Sequence, residues 1–169
     1  NSLKNLQNNS ERKKFTRKAI DKFHFSITGA GDKEALAAEE LLFSVCIFAY
    51  NRTKYLEESI NSVLEQNFDK FELIIYDGSP TENISELIHL INSDKIRYFR
   101  EENNNAPDLQ NKAIHRAKGK YLIWLASDDI LNQEVLLYYQ SILKENPKID
   151  IIYGDLHICD EHLIVKEEI

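Results

Sequence analysis

The sequence has few of the features that mark secreted or membrane-spanning proteins. Only two of its 169 residues are cysteines, Cys46 and Cys159, and neither belongs to a metal-ligand spacing. Both stand in apolar runs, which favours buried thiols in a reducing compartment. No run approaches the roughly 18 apolar residues that span a bilayer, and no signal-peptide pattern opens the chain. We therefore expect a cytoplasmic globular protein and, because residue 1 is Asn rather than Met, a fragment of a longer one.

Several nucleotide-binding and hydrolytic signatures are also missing. No G-x-G-x-x-G follows a candidate strand, so a dinucleotide site of that type is not predicted. The P-loop pattern G-x-x-x-x-G-K-[ST] is absent as well. The G-x-S-x-G of serine hydrolases does not occur either, so nucleophilic hydrolysis has no support.

Charge is unevenly distributed along the chain. The formal net charge is −7, yet residues 1–25 contain seven Lys or Arg against two acidic residues, a local charge of +5 that leaves −12 on the rest. An acidic body is poorly suited to nucleic acid, where phosphate neutralisation supplies most of the affinity. Such a body could handle a phosphate-bearing ligand only with a metal ion in between.

Residues 1–42 differ in composition from the rest of the chain. Within them, residues 11–25 form a basic helix candidate, with Phe15, Ala19 and Phe23 spaced four apart. We interpret residues 1–42 as a helical or linker segment. The alternative is a peripheral contact of residues 11–25 with another domain or with an anionic membrane, which would bring the protein to its inner face.

From Phe43 to the end, apolar strand candidates alternate with amphipathic helix candidates. The helix candidates cover residues 54–66, 84–91, 109–117 and 133–145. The five strand candidates are FSVCIFAY, FELIIY, KIRYF, KYLIWLA and KIDIIYG. Near-continuous apolar strands that alternate with helices predict an α/β fold of three layers, a mostly parallel sheet with helices on both faces. Residues 43–169 are therefore expected to form one domain.

Polar residues stand where the predicted strands end. Asn51 follows the first strand, Asp77 the second, and Asp128 and Asp129 the fourth. Ligands of parallel sheets bind at the carboxyl ends of the strands. Asn and Asp also cap helices and make turns, but a cap needs one oxygen and so explains the adjacent pair less well. Because two adjacent carboxylates repel each other, either water or a cation such as Mn²⁺ or Mg²⁺ is expected to stabilise them.

Ordered motifs make much of the chain similar to a known family. The stretch SVCIFAYNRTKYLEESINSVLEQNFDKFELIIYDGSPTEN resembles the opening of family 2 glycosyltransferases of the GT-A fold. NKAIHRAKGKYLIWLASDD and IDIIYGD continue the resemblance, which covers roughly Phe43 to the end. It implies a Rossmann-like GT-A domain. It also implies metal-dependent, inverting transfer of a sugar from a nucleotide-diphosphate sugar, UDP-linked by family frequency, to a hydroxyl of a glycan or lipid-linked acceptor.

The resemblance also implies a set of site residues. Tyr50 stands where the family can stack an aromatic ring on the base, and Asp77 would bind the base edge. Asp128 would approach the ribose, and Asp129 would ligate the Mn²⁺ or Mg²⁺ that bridges the diphosphate. The full set implied for the nucleotide sugar and its metal is Phe48, Ala49, Tyr50, Asn51, Asp77, Asn111, Asp128 and Asp129.

The chain departs from the family pattern at several positions. Phe48 replaces a Pro, Tyr76 and Ala126 each replace an Asp, and Gln110 replaces an Arg. None of these changes removes Asp77 or the Asp128–Asp129 pair. These changes leave open a second interpretation, in which the chain is a non-catalytic nucleotide-binding or partner-docking module derived from such a domain.

No residue of the chain matches the family's catalytic base. That acidic residue lies in the acceptor-binding half, so we expect it beyond Ile169 and leave the catalytic residue unassigned. If the 169-residue chain alone proved fully active, Asp155, Asp160 or Glu161 would be the candidates.

Overall fold

The computed structural model describes residues 41–51, 53–80, 84–101, 106–154, 156–160 and 162–168. The predictions for residues 1–40, including the basic helix within 11–25, lie outside these ranges. Among the helices described, none has the length and apolar character needed to cross a bilayer. The chain divides into two compact units, one of residues 35–138 and one that includes residues 139–169.

The larger unit is built on four strands, β1 (Phe43–Ala49), β2 (Phe71–Asp77), β3 (Ile96–Arg100) and β4 (Tyr121–Ala126). They form one parallel sheet in the order β3-β2-β1-β4. Its helices are α1 (Leu56–Leu64), α2 (Ile84–Ile91) and α3 (Ala106–Arg116), followed by α4 (Val135–Glu145), which crosses the boundary between the two units. The four predicted helices and the first four predicted strands are confirmed.

The sheet is covered on both faces. Along β2 every residue is buried, including Glu72 and Asp77, as expected for an inner strand with a near-continuous apolar run. The direction of winding reverses after β3, so the right-handed crossover rule assigns α1 and α2 to one face and α3 to the other. On the α3 face, Leu109 and Ala113 pack with Cys46 and Ile74 of the sheet. The predicted three-layer α/β fold is therefore confirmed.

A buried polar network ties the amino ends of the strands together. The Glu72 carboxylate accepts hydrogen bonds from Ser44 Oγ at 2.6 Å, Arg97 Nη1 at 2.7 Å and the Lys118 amide at 2.6 Å. Burial raises the pKa of Glu72, but these three hydrogen bonds outweigh it and leave the pKa below its ordinary value of 4.5. Gly119 donates its amide to Ser44 Oγ at 2.8 Å, and the network thereby joins β1 and β2 to the turn before β4.

The smaller unit corrects two predictions. KIDIIYG (148–154) was predicted to be a fifth sheet strand, but the four-stranded sheet does not include it and only Ile151 is assigned, as an isolated bridge residue. An apolar run predicts extended backbone, whereas its pairing partner depends on distant contacts. Residues 139–169 contain instead an antiparallel pair, β5 (His157–Cys159) and β6 (Val165–Glu168). Cys46 is buried as predicted, but Cys159 is exposed, because a two-stranded ribbon offers little cover.

Candidate functional site

The strand register brings the predicted site positions to one edge of the sheet. Ala49 at the end of β1 pairs with Asp77 at the end of β2, and Phe48 pairs with Ala126 at the end of β4. Neighbouring strands lie about 4.8 Å apart, so the ends of β2 and β4 flank β1 within about 10 Å of each other. The chain reverses its direction of winding between β1 and β4, which is where open α/β sheets form a ligand crevice.

Asp77 is buried and held by two hydrogen bonds from its own unit. Its Oδ1 accepts from the Ser79 amide at 2.8 Å, and its Oδ2 accepts from the Tyr98 hydroxyl at 2.7 Å. Burial raises the pKa of the Tyr98 phenol, and the Asp77 carboxylate raises it further, so the phenol stays protonated and donates. The Asp77 carboxylate therefore has a fixed orientation.

The residues after β1 form a turn against the residues after β2. The Gly78 amide donates to the Ala49 carbonyl at 3.0 Å, and the Asn51 amide donates to Ser79 Oγ at 2.9 Å. Asn51 adopts a left-handed backbone with φ of 49°, a conformation that Asn tolerates better than most residues. Tyr50, between them, is 58% exposed and presents its ring to solvent. This turn therefore offers an aromatic surface beside the edge that carries Asp77.

Phe48 lies at the same edge as Asp77, but its side chain is on the other face of the sheet. The Phe48 ring stacks on Tyr76 at 6.0 Å and contacts Trp124 at 5.3 Å, centroid to centroid, on the opposite sheet face from the Asp77 side chain. Asn111 lies exposed on α3. The roles implied for both residues in nucleotide binding stay predictions.

Asp128 and Asp129 are exposed in the turn that follows β4. The Asp129 amide closes this turn on the Ala126 carbonyl at 3.2 Å. Partial burial raises the pKa of Asp129 above its ordinary value of 3.8, and the neighbouring Asp128 carboxylate raises it further. A cation beside this pair would relieve both effects. The described residues contain no group of three or more His, Cys, Asp or Glu that could hold a metal ion, so a metal here would need oxygens from the ligand and from water.

The side chains that hold this edge in place were not predicted from the sequence. Tyr98 orients Asp77. The sequence feature that could have indicated this role is an aromatic residue on the inner face of a strand with alternating apolar and polar residues. Ser59 of α1 donates its hydroxyl to the Asp129 carbonyl at 2.7 Å. The sequence feature that could have indicated this contact is the position of Ser59, a polar residue beside Ile60 on the apolar face of α1. An amphipathic helix normally carries apolar side chains on that face.

Comparisons with known proteins agree with this architecture. Residues 44–162 match the sequence profile described as Glycosyl transferase family 2. An uncharacterized glycosyltransferase of Rickettsia bellii is 38% identical over 123 residues, which are 72% of this chain and 18% of that protein. The poly-beta-1,6-N-acetyl-D-glucosamine synthase of Staphylococcus aureus is 29% identical over 118 residues, 69% of this chain and 29% of the synthase. The chain thus spans well under half the length of these relatives.

Solved structures point the same way. TarS of S. aureus (residues 1–349) superposes with a TM-score of 0.57 at 28% identity, covering 63% of this chain and 33% of the TarS chain. Its complex with UDP-GlcNAc superposes with a TM-score of 0.53 at 25% identity, covering 63% of this chain and 32% of that one. With a family match over 44–162 and the order of strands and motifs described above, this chain belongs to glycosyltransferase family 2.

Proposed function

We propose that the chain forms the donor-binding part of an enzyme that transfers a sugar from a UDP-sugar to an acceptor hydroxyl in glycan or polysaccharide synthesis. The observation that carries the proposal is the convergence of Asp77 and the Asp128–Asp129 pair at the carboxyl edge of one parallel sheet, on either side of β1. The complex of TarS with UDP-GlcNAc and the polysaccharide synthase among the relatives support it.

Donor binding is divided between the two sides of β1. On the β2 side, the Tyr50 ring stacks on the base and the oriented Asp77 carboxylate accepts hydrogen bonds from the base edge. On the β4 side, Asp128 approaches the ribose and Asp129 approaches the diphosphate. Aromatic stacking tolerates any base, whereas a fixed acceptor discriminates among base edges. The identity of the base is therefore assigned chiefly to Asp77.

The residues after β4 fit a divalent cation. Asp128 and Asp129 supply exposed carboxylate oxygens, the donors that Mn²⁺ and Mg²⁺ prefer, and such ions commonly bind through one or two carboxylates plus phosphate oxygens. Asp129 is assigned as the protein ligand. When bound, the ion would stabilise the negative charge that develops on the departing diphosphate. Without it, two carboxylates would face that charge and repel it.

The reaction proposed is an inverting displacement, in which an acceptor oxygen attacks the sugar carbon as the bond to the diphosphate breaks. The acceptor proton must pass to a general base, a contribution of about 10²–10⁴ in rate. None of the residues assigned to the donor is available for that role, and we assign the base and the acceptor site to a further part of a longer protein. The 169-residue chain should then bind donor but transfer sugar poorly.

Calorimetry with UDP in the presence and absence of Mn²⁺ tests donor binding. The proposal expects UDP to bind and to bind more tightly with Mn²⁺. Equal affinity under both conditions would remove Asp129 from its role. If UDP, GDP and dTDP all fail to bind, the donor site itself is wrong.

A transfer assay separates the enzyme from a non-catalytic module. The substitutions at Tyr76 and Ala126, where the family carries Asp, are the observation that favours a module. A longer parent protein and the 169-residue chain would each be incubated with labelled UDP-sugar and a panel of acceptors. Transfer by the parent supports the enzyme; donor binding without transfer or hydrolysis by the parent supports the module.

Liposome flotation with and without residues 1–25 tests the proposed contact of the basic segment with the inner face of a membrane.

A further inference from the structure

Three polar side chains on α1 and just after it are buried or partly buried. Ser59 and Ser62 lie on α1, and Gln66 follows two residues after its end. Ser59 is fully buried, Gln66 is 7% exposed and Ser62 is partly buried. Buried polar groups cost free energy unless they are hydrogen-bonded. We call these three side chains the α1 trio. Their hydrogen-bond partners indicate the role of the trio.

Each member of the α1 trio bonds to the backbone just after β4. Ser59 Oγ donates to the Asp129 carbonyl at 2.7 Å, and Ser62 Oγ accepts from the Leu131 amide at 3.0 Å. Gln66 Nε2 donates to the Asn132 carbonyl at 2.6 Å. The three loop partners therefore come in the same order along the chain as the three members of the trio. The loop runs alongside the helix and is fixed at each of these points.

Two further bonds extend the attachment to the start of α4. Gln66 Oε1 accepts from the Leu136 amide at 3.2 Å, and the Asn67 amide donates to the Gln133 carbonyl at 3.1 Å. Within the trio, Ser62 Oγ also donates to the Ser59 carbonyl at 2.7 Å. Both ends of the Gln66 amide group are therefore used, and neither serine hydroxyl is left unpaired. A network satisfied in this way is rigid and specific, whereas a partly satisfied one destabilises its surroundings.

We infer that the α1 trio positions the Asp128–Asp129 pair and thereby sets the affinity for a divalent cation with UDP. The trio acts through the loop backbone, so its members are positioning residues that do not themselves touch the ligand. The Ser59 hydroxyl is bonded to the carbonyl of Asp129 itself, which makes Ser59 the member with the most direct effect. The inference rests on the proposed function, because it presupposes that the pair binds a metal and UDP.

The test compares two fully buried serines, Ser59, which bonds to the loop after β4, and Ser44, which lies at the amino edge of the sheet. Ser44 is as fully buried as Ser59, but it donates its hydroxyl to Glu72 and accepts the Gly119 amide at the amino edge of the sheet. Both Ser59→Ala and Ser44→Ala should lower the thermal midpoint of the chain, and Ser44→Ala should lower it more, because it leaves both the Glu72 carboxylate and the Gly119 amide without the hydroxyl partner. Calorimetry with Mn²⁺ and UDP should then separate them. We expect Ser59→Ala to weaken Mn²⁺-dependent UDP binding about tenfold and Ser44→Ala to leave it within about twofold.

A second pair of variants guards against misfolding of Ser59→Ala. Ser62→Ala removes the acceptor of the Leu131 amide, while Ser62→Thr keeps a hydroxyl at this partly buried position. We expect Ser62→Ala to weaken Mn²⁺-dependent binding about fivefold and Ser62→Thr to bind like wild type. Amide hydrogen exchange should show faster exchange at Leu131 in Ser62→Ala only.

The possible failures are distinguishable. If wild type binds UDP with Mn²⁺ and both Ser59→Ala and Ser62→Ala bind equally well, the positioning inference is wrong and the proposed function stands. If Ser44→Ala loses as much Mn²⁺-dependent affinity as Ser59→Ala, the effect is one of general stability and the inference is also wrong. If wild type binds neither Mn²⁺ nor any nucleotide tested, the proposed function fails and the inference fails with it.

Discussion

The Tyr98 hydroxyl donates a 2.7 Å hydrogen bond to Oδ2 of Asp77, joining β3 to the end of β2 directly beneath the candidate site. Tyr98→Phe keeps the ring and removes this donor. We expect the free energy of unfolding to fall by about 1–3 kcal/mol, because a buried carboxylate oxygen loses its partner. UDP affinity should fall about fivefold as Asp77 loses its orientation. Urea denaturation and calorimetry measure the two effects.

Tyr153→Phe is the matched control for Tyr98→Phe, since it removes a phenol hydroxyl from a side chain that is 55% exposed. Neither quantity should change in this variant. Wild-type UDP affinity in Tyr98→Phe would mean that the hydrogen bond to Asp77 serves stability alone.

Asp129→Asn tests the assigned metal ligand. The substitution removes one anionic oxygen while preserving the size of the side chain, so Mn²⁺-dependent UDP affinity should fall at least about tenfold. Metal-independent affinity should remain. Calorimetry with Mn²⁺, and again after EDTA treatment, separates the two parts. Asp94→Asn, an exposed carboxylate in the turn before β3, should behave as wild type. An undiminished response to Mn²⁺ in Asp129→Asn would move the metal to Asp128 or elsewhere.

Glu72 makes the stability of the sheet depend on pH. Its pKa in the folded protein lies below the ordinary value of 4.5, so its contribution is present above that value and is lost as pH falls through the folded-state pKa. Glu72→Gln should be less stable at pH 7 by about 1–3 kcal/mol. It should also lose less stability than wild type between neutral pH and the acid range. Thermal melts from pH 7 downward measure this, with the exposed Glu65→Gln as control. Parallel pH profiles in wild type and Glu72→Gln would contradict it.

The two thiols should differ in reactivity toward maleimide. Cys46 is fully buried, and burial, followed by the charge of Glu72, raises its pKa to about 12. Cys159 is exposed, although burial of part of its side chain and the nearby Asp160 raise its pKa as well. One thiol per native chain should therefore be labelled, faster at higher pH, and two should be labelled in denaturant. Cys159→Ser should abolish native labelling; labelling of Cys46 in that variant would contradict the described packing of β1.

The sequence predicted those parts of the fold whose cause is local. The strands β1, β2 and β4 are near-continuous apolar runs, and the helices carry apolar residues at helical spacing, so each could be recognised without its partners. The carboxyl-edge rule then located Asp77 and the Asp128–Asp129 pair relative to the sheet. The prediction of a sheet strand at 148–154 was wrong, because membership of a sheet depends on pairing with strands that are distant in the sequence.

The contacts that orient the site could not be predicted for the same reason. Tyr98 and Asp77 are 21 positions apart, and Ser59 and Asp129 are 70 apart. A polar residue on the apolar face of α1 indicates a buried partner but not its identity. Only the folded chain shows that the partner of Ser59 is the loop carrying the second half of the site.

The central place of β1 has a consequence for synthesis on the ribosome. β1 and β2 lie close in sequence, and their pairing can begin while the rest of the chain is still being made. β1 can pair with β4 only after a much longer stretch has been synthesised, since Ser44 and its partner Gly119, in the turn before β4, are 75 positions apart. Until that partner emerges, one side of an apolar strand is uncovered and open to pairing with another nascent chain. The Asp128–Asp129 side of the site is thus completed after the Asp77 side, when β4 pairs with β1 and covers its open edge.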